Sequence, residues 1–203
     1  MTITNGYATL SDVKSALRVT DTIDDALISV AVEAASREID GYTERFFYNA
    51  GTAIKLFIPE HAFLTEVDDL ISLTTLETTP DGQTFSSVWA ATDYQLEPLN
   101  GVVGGLATPS TRIRAIGNKL FPKFDLRNPN TNEATVRVTG VWGYSEVPIA
   151  IKQATILLAS RQFSRYNAPL GVAGFGDIGA INITRVDPDV MALIAPFRKV
   201  RMA

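Results

Sequence analysis

The hydrophobic period of this chain changes twice, and that constrains its fold more than any other feature. Up to about residue 48 the apolar residues recur at helical spacing. Residues 50–146 then favour β-branched and aromatic residues in short runs broken by turn signals, and helical spacing returns at Pro148. A period of 3.6 cannot sit in a sheet, nor a period of 2 on a helix, so one continuous architecture is excluded. The expected class is α+β. Residues 1–48 and 147–203 form a helical module, and residues 49–146 are a central β-rich insertion.

Within the first segment, Thr9-Leu10-Ser11-Asp12 offers side-chain oxygens to the free N–H groups of a first turn and predicts a short helix over Ser11–Leu17, burying Val13, Ala16 and Leu17. A second helix starts near Thr22, with Asp24 and Asp25 placed to complement its dipole. Its predicted buried stripe is Leu27, Val30, Ala31, Ala34, Ile39 and Tyr42. Strands are predicted over Ala53–Ile58, Leu70–Thr78, Thr84–Val88, Asp93–Leu96, Thr111–Ile116 and Ala134–Trp142, with a hairpin turn at Pro80-Asp81-Gly82. Pro148 is preorganised to open a long helix whose broad apolar face includes Ile149, Ile151, Ala154, Leu157, Leu158 and Tyr166, ending at Pro169. A glycine-rich loop follows, then a short strand Ala180–Arg185. Asp187-Pro188-Asp189 starts a final helix carrying Val190, Leu193 and Ile194, which breaks before Pro196.

Charge and composition narrow the chemistry. Net charge is −4, yet residues 1–100 hold 16 acidic and 5 basic side chains while residues 101–203 hold 6 and 13. Opposite charges that face each other inside one fold explain such a split, and so does a ring in which one subunit's acidic face meets its neighbour's basic face. No cysteine is present, which removes disulfides, thiolate metal sites and thiol nucleophiles and suits a reducing cytoplasm. The first residues carry neither a basic region nor an apolar core, so no signal peptide is expected, and no run is long enough to span a bilayer.

Catalytic motifs are weak. Gly174-Phe175-Gly176-Asp177-Ile178-Gly179 spells the dinucleotide fingerprint, but it precedes a strand-like run instead of opening a helix, and Arg198 and Lys199 stand where an acid is needed. His61 is the single histidine and reads as ordinary surface. The pairs Asp24/Asp25 and Asp68/Asp69 diverge on either kind of element and so do not converge on one ion. Arg161, Arg165 and Arg185 with Phe163, Tyr166 and Phe175 fall short of the sustained alternation of a nucleic-acid stacking platform. No catalytic, cofactor or metal site is predicted.

Three segments together resemble the phage head–tail connector (adaptor, head-completion) proteins of long-tailed bacteriophages. They are Tyr7–Val19 followed by Asp24-Asp25-Ala26-Leu27-Ile28, then Val136–Tyr144 running into Val147–Ala154, and finally Val186–Arg198 with its proline, aromatic and arginine. The resemblance implies a non-enzymatic virion protein, made in the host cytoplasm, that forms a ring, commonly twelve-fold. Its expected partners are a portal protein, a tail-proximal stopper or tail terminator, and DNA passing through the lumen without sequence specificity. No membrane contact and no cofactor are implied. The shortest family members are nearly all helical, so the β-rich middle departs from their pattern.

We expect the C-terminal arm to dock on the portal, with Phe197 as anchor and Arg198, Lys199 and Arg201 as polar contacts. Gly171, Gly174, Gly176 and Gly179 would serve as its hinge. The alternative is that Phe197 closes the protein's own core. Two other functional classes compete: a DNA-binding module using the first two helices as a helix-turn-helix, against which the acidic start of the second helix argues, and a small hydrolase with an unrecognised site.

Overall fold

The structure, a computed structural model, describes residues 3–123, 133–167 and 188–199. Packing divides the chain into two compact units, Met1–Phe47 with Val147–Ala203, and Tyr48–Glu146. The architecture is α+β.

The first unit is helical. Helix α1 (Leu10–Leu17) opens on a reciprocal cap: the Thr9 hydroxyl accepts from the Asp12 N–H at 3.1 Å, and the Asp12 carboxylate accepts from the Thr9 N–H at 2.9 Å. It stops at Arg18, which adopts the left-handed conformation while the Val19 N–H reaches back to the Lys14 carbonyl at 3.0 Å. Helix α2 (Asp25–Thr43) is the long element of the N-terminal segment. Helix α3 (Ile149–Asn167) packs along it, α1 contacts both, and α4 (Pro188–Ile194) packs on α3 before a 3-10 turn, Ala195–Phe197.

Side-chain burial in α2 departs from the expected stripe. Ile28, Ala31, Val32, Ala35 and Ile39 are buried, whereas Leu27 and Val30 face solvent and Ala34 is exposed. The helix is apolar on two sides, and spacing alone does not say which side the rest of the unit will cover. In α3 the buried residues are Ile151, Ala154, Leu158, Ala159 and Phe163, and the predicted Ile149, Leu157 and Tyr166 are exposed. In α1 only Val13 is fully buried; Ala16 is exposed. The 3-10 turn incorporates Pro196, because a first-turn proline sacrifices no hydrogen bond.

The second unit is an antiparallel sheet in the order β1-β8-β2-β7-β4, with β3 paired to β2, and a separate β5-β6 pair. The strands are β1 (Asn49–Phe57), β2 (Leu64–Thr78), β3 (Ser87–Trp89), β4 (Tyr94–Glu97), β5 (Val102–Val103), β6 (Leu106–Ala107), β7 (Ser110–Ala115) and β8 (Val136–Gly143). β2 begins six residues before its predicted start: Leu64–Glu66 pair with β7 and Leu70–Thr78 with β8. The expected turn at Pro80-Asp81-Gly82 joins β2 to β3. There the Asp81 carboxylate accepts from the Thr79 hydroxyl and from the N–H groups of Gln83 and Thr84, which lowers its pKa to about 2.

One face of this sheet holds the core, built from Val67, Leu70, Leu76, Ile113, Val136, Val138 and Trp142, with Trp89 stacked on Phe121 at 4.7 Å. Alternation along β8 sends Val136, Val138 and Trp142 inward and Arg137 and Thr139 outward. Gly140 lies on the inward side, where a Cβ would stand 2.5 Å from the Ser72 carbonyl oxygen. On the outward side Arg137 grips Glu77 through two hydrogen bonds of 2.6 and 2.7 Å and lies over the Phe85 ring. The first and last strands are neighbours, and the Tyr144 N–H donates to the Tyr48 carbonyl at 3.2 Å. The chain therefore enters and leaves this unit side by side, which is the geometry an inserted unit needs.

Candidate functional site

The residues weighed for catalysis are placed in structural roles. His61 is exposed, stacks on Phe63 at 5.5 Å and closes a tight turn through reciprocal backbone bonds with Leu64. Asp25 pairs with Lys14 at 2.5 Å, and Asp68 pairs with Lys55 at 2.8 Å. Among the described residues no three His, Asp or Glu side chains are grouped to hold a metal, and no described helix is long and apolar enough to cross a membrane. Phe163 is buried while Tyr166 is exposed; Arg185, Phe175 and the glycine fingerprint lie outside the described residues.

Of the segments that carry the family resemblance, Val136–Tyr144 belongs to the β-rich unit, and the described parts of the others are knitted together in the helical unit. Lys14 spans from α1 to Asp25 and to the Asp21 carbonyl at 2.6 Å, so the lysine of the first helix pins the start of the second. Asp12 pairs with Lys152 at 2.9 Å and ties α1 to α3. The Tyr7 hydroxyl donates to the buried Asp40 carboxylate and accepts from the Phe47 N–H at 3.0 Å, while Arg37 pairs with Asp40 at 2.8 Å. Burial raises the Asp40 pKa, against the lowering effect of Tyr7 and Arg37. Burial, with the adjacent Asp40 carboxylate, also pushes the Tyr7 phenol well above its ordinary range.

The C-terminal residues join the same cluster. The Phe197 ring is 4% exposed and stands edge-on to Phe47 with centroids 5.6 Å apart. The Arg198 guanidinium lies over the Tyr42 ring at 5.7 Å, and the Lys199 N–H donates to the Thr43 carbonyl at 2.9 Å. The structure thus places Phe197 inside its own unit, with Arg198 exposed beside it. Arg201, Gly171, Gly174, Gly176 and Gly179 lie outside the described residues.

What the sequence reading missed is the surface left over. Ile23, Leu27 and Val30 on the α2 side, Ile149 and Leu157 on α3, and Ile54, Leu56 and Ile58 along the edge strand β1 are all exposed. Scattered apolar residues are ordinary on a surface, but rows of them on one helix or strand mark candidate contacts. The available signal was that α2 and α3 hold more apolar residues than one buried face accommodates.

Comparison with known proteins gives the arrangement a context. Residues 7–74 match the model of the phage gp6-like head-tail connector proteins, a stretch running from Tyr7 through α1 and α2 into β2. No curated protein matches the chain in sequence. A chain from the neck of the empty gene transfer agent particle, computed with C6 symmetry, is 21% identical with a TM-score of 0.60, covering 100% of this chain and 95% of that one. A chain from the neck of the native particle, computed with C12 symmetry, is 20% identical with a TM-score of 0.57, covering 100% and 94%. The chain accordingly resembles the phage gp6-like head-tail connector proteins in sequence over residues 7–74, and over its full length it has the fold of chains in gene transfer agent necks.

Proposed function

We propose that this chain is a non-enzymatic structural subunit of the neck of a phage or phage-like particle. Its copies form a ring, twelve-fold when seated on a portal, between the portal and the tail-proximal stopper or terminator, and DNA passes through the lumen without sequence readout. The observation that carries this reading is the coincidence of two independent likenesses. The N-terminal helices match connector proteins in sequence, and the entire chain, β-rich unit included, superposes on neck chains solved with cyclic symmetry. The chemistry agrees, since His61 closes a turn and Asp25 and Asp68 are engaged in ion pairs. Portal contact is assigned to the C-terminal end, through the exposed Arg198 and the basic Lys199 and Arg201 that follow it.

The test is mass determination and electron microscopy of the purified chain alone and mixed with a portal protein. The expected result is a weak oligomer at micromolar concentration that becomes a closed ring when concentrated or placed on the portal, loosening as salt screens its charges. A tight, salt-insensitive dimer that ignores the portal would overturn the reading. So would nuclease or ATPase turnover lost on a single carboxylate substitution.

A further inference from the structure

Helix α2 carries two apolar faces, and its own unit covers one. The uncovered face is formed by Leu27, Val30 and Ala34 and is extended by Ile23 just before the first turn. Ile23 is 86% exposed and Val30 48%. The steps from 23 to 27, 30 and 34 are four, three and four residues, the spacing at which one helix meets another along a continuous seam. Arg37 and Gly41 continue the row at steps of three and four; Arg37 is held by Asp40 at 2.8 Å and by the Asn5 carbonyl at 3.0 Å, and a Cβ built at Gly41 would meet nothing within 4 Å. The seam is therefore apolar from Ile23 to Ala34 and is crossed by one charged side chain beyond it.

The α3 helix offers a second uncovered face, along Ile149, Gln153 and Leu157, with Ile149 79% exposed. Charge decides which face meets which. Beside the α2 seam stand the acids Asp24, Glu33 and Glu38, with Arg37 in the row, while Asp25 and Asp40 are engaged inside the copy with Lys14 and with Tyr7 and Arg37. The α3 helix holds Arg161, Arg165 and Lys152, the last paired with Asp12 of its own copy, and no acid. Joining α2 to α2 across a two-fold axis would set acid against acid. Joining α2 of one copy to α3 of the next sets acid against base, and border charges of opposite sign select the pairing of a helical seam.

We propose that the α2 face of each copy packs on the α3 face of the next, and that this contact closes the ring. The proposal rests on the ring reading above and adds the surface that builds it. Because the two faces differ, the contact is heterologous, and repetition of a heterologous contact generates a closed ring when its rotation permits.

The absence of cysteine makes the test direct. The full-length chain carrying Val30→Cys and Leu157→Cys is concentrated until the wild-type chain assembles, then oxidised. The expected product is a ladder of disulfide-linked multimers, with each single-cysteine variant staying monomeric under denaturing, non-reducing conditions. Dimers from Val30→Cys alone would mean that α2 meets α2 and would overturn the proposal. Rings found by mass measurement without a ladder would overturn this interface while leaving the ring reading intact. A wild-type chain that assembles neither when concentrated nor on a portal overturns the ring reading itself. As a second arm, Val30→Glu should weaken assembly at least tenfold and leave the monomer's melting temperature within about 2 °C, as expected for a surface change. Wild-type assembly of that variant counts against the interface.

Discussion

Replacing Phe197 by alanine separates its two possible roles, core residue and portal anchor. The ring is buried among the helical unit's own residues, edge-on to Phe47, which is itself edge-on to Tyr7 at 5.6 Å. Truncating a buried phenylalanine costs about 3–5 kcal/mol, through lost transfer energy plus the cavity left behind. Roughly 0.5–1.5 kcal/mol of that belongs to the edge-to-face pair. Docking sets a ceiling: the loss cannot exceed what the packing of Val190, Ile194 and Phe197 on the helical unit contributes. The lower end, about 3 kcal/mol, is therefore expected. In a unit of about 100 residues each kcal/mol shifts the midpoint by about 4–8 °C, so the helical transition should fall by at least about 12 °C. Urea or thermal unfolding followed by circular dichroism reads this, and Phe197→Leu should restore most of it. Melting unchanged within about 2 °C, together with at least a tenfold loss of portal affinity, would refute the reasoning and make the ring a partner anchor.

Two further predictions concern pH and backbone conformation. Arg137 holds Glu77 below its ordinary pKa of 4.5, so the pair's contribution to the β-rich unit is complete above that value and is lost as pH falls through the depressed folded pKa. Asp40 has the opposite sign, because its raised folded pKa makes its ionisation oppose folding of the helical unit increasingly as pH climbs from 3.8. Urea midpoints across this range should lose part of their acid sensitivity in Glu77→Gln, and Asp40→Asn should fare relatively better as pH rises; parallel profiles for both variants and the wild type would contradict the assignment. Gly143 has φ +97°, and a Cβ there would meet the Tyr48 carbonyl oxygen at 2.0 Å. Gly143→Ala should cost more than about 1 kcal/mol, measured as a lower urea midpoint of the β-rich transition, and an unchanged midpoint would show that this junction yields.

Much of the fold was readable because its signals are local. The Thr9–Asp12 cap, the alternation along β8 and the start of α3 after Pro148 each depend on neighbours within a few residues. The start of β2 was missed because Glu66, Asp68 and Asp69 look like loop residues. In the fold Val67 is buried while Asp68 pairs across the sheet with Lys55, a partner the spacing could not supply. Asp40 shows the same limit from the other side: an acid on a helix reads as solvent-facing, and its burial is made tolerable by Arg37 on the same turn together with Tyr7, which is remote in sequence. The α2 faces carry the point furthest. Both Ile28-Val32-Ala35-Ile39 and Leu27-Val30-Ala34 satisfy helical spacing, and no local rule ranks them. The intramolecular partner takes the first, which is why Leu27, Val30 and Ala34 of the predicted stripe are exposed while its Ala31 and Ile39 are buried as expected. A chain that must pack once on itself and once on a copy of itself needs two apolar faces on one helix. The ambiguity that defeated the burial prediction therefore has the same physical origin as the surface proposed to build the ring.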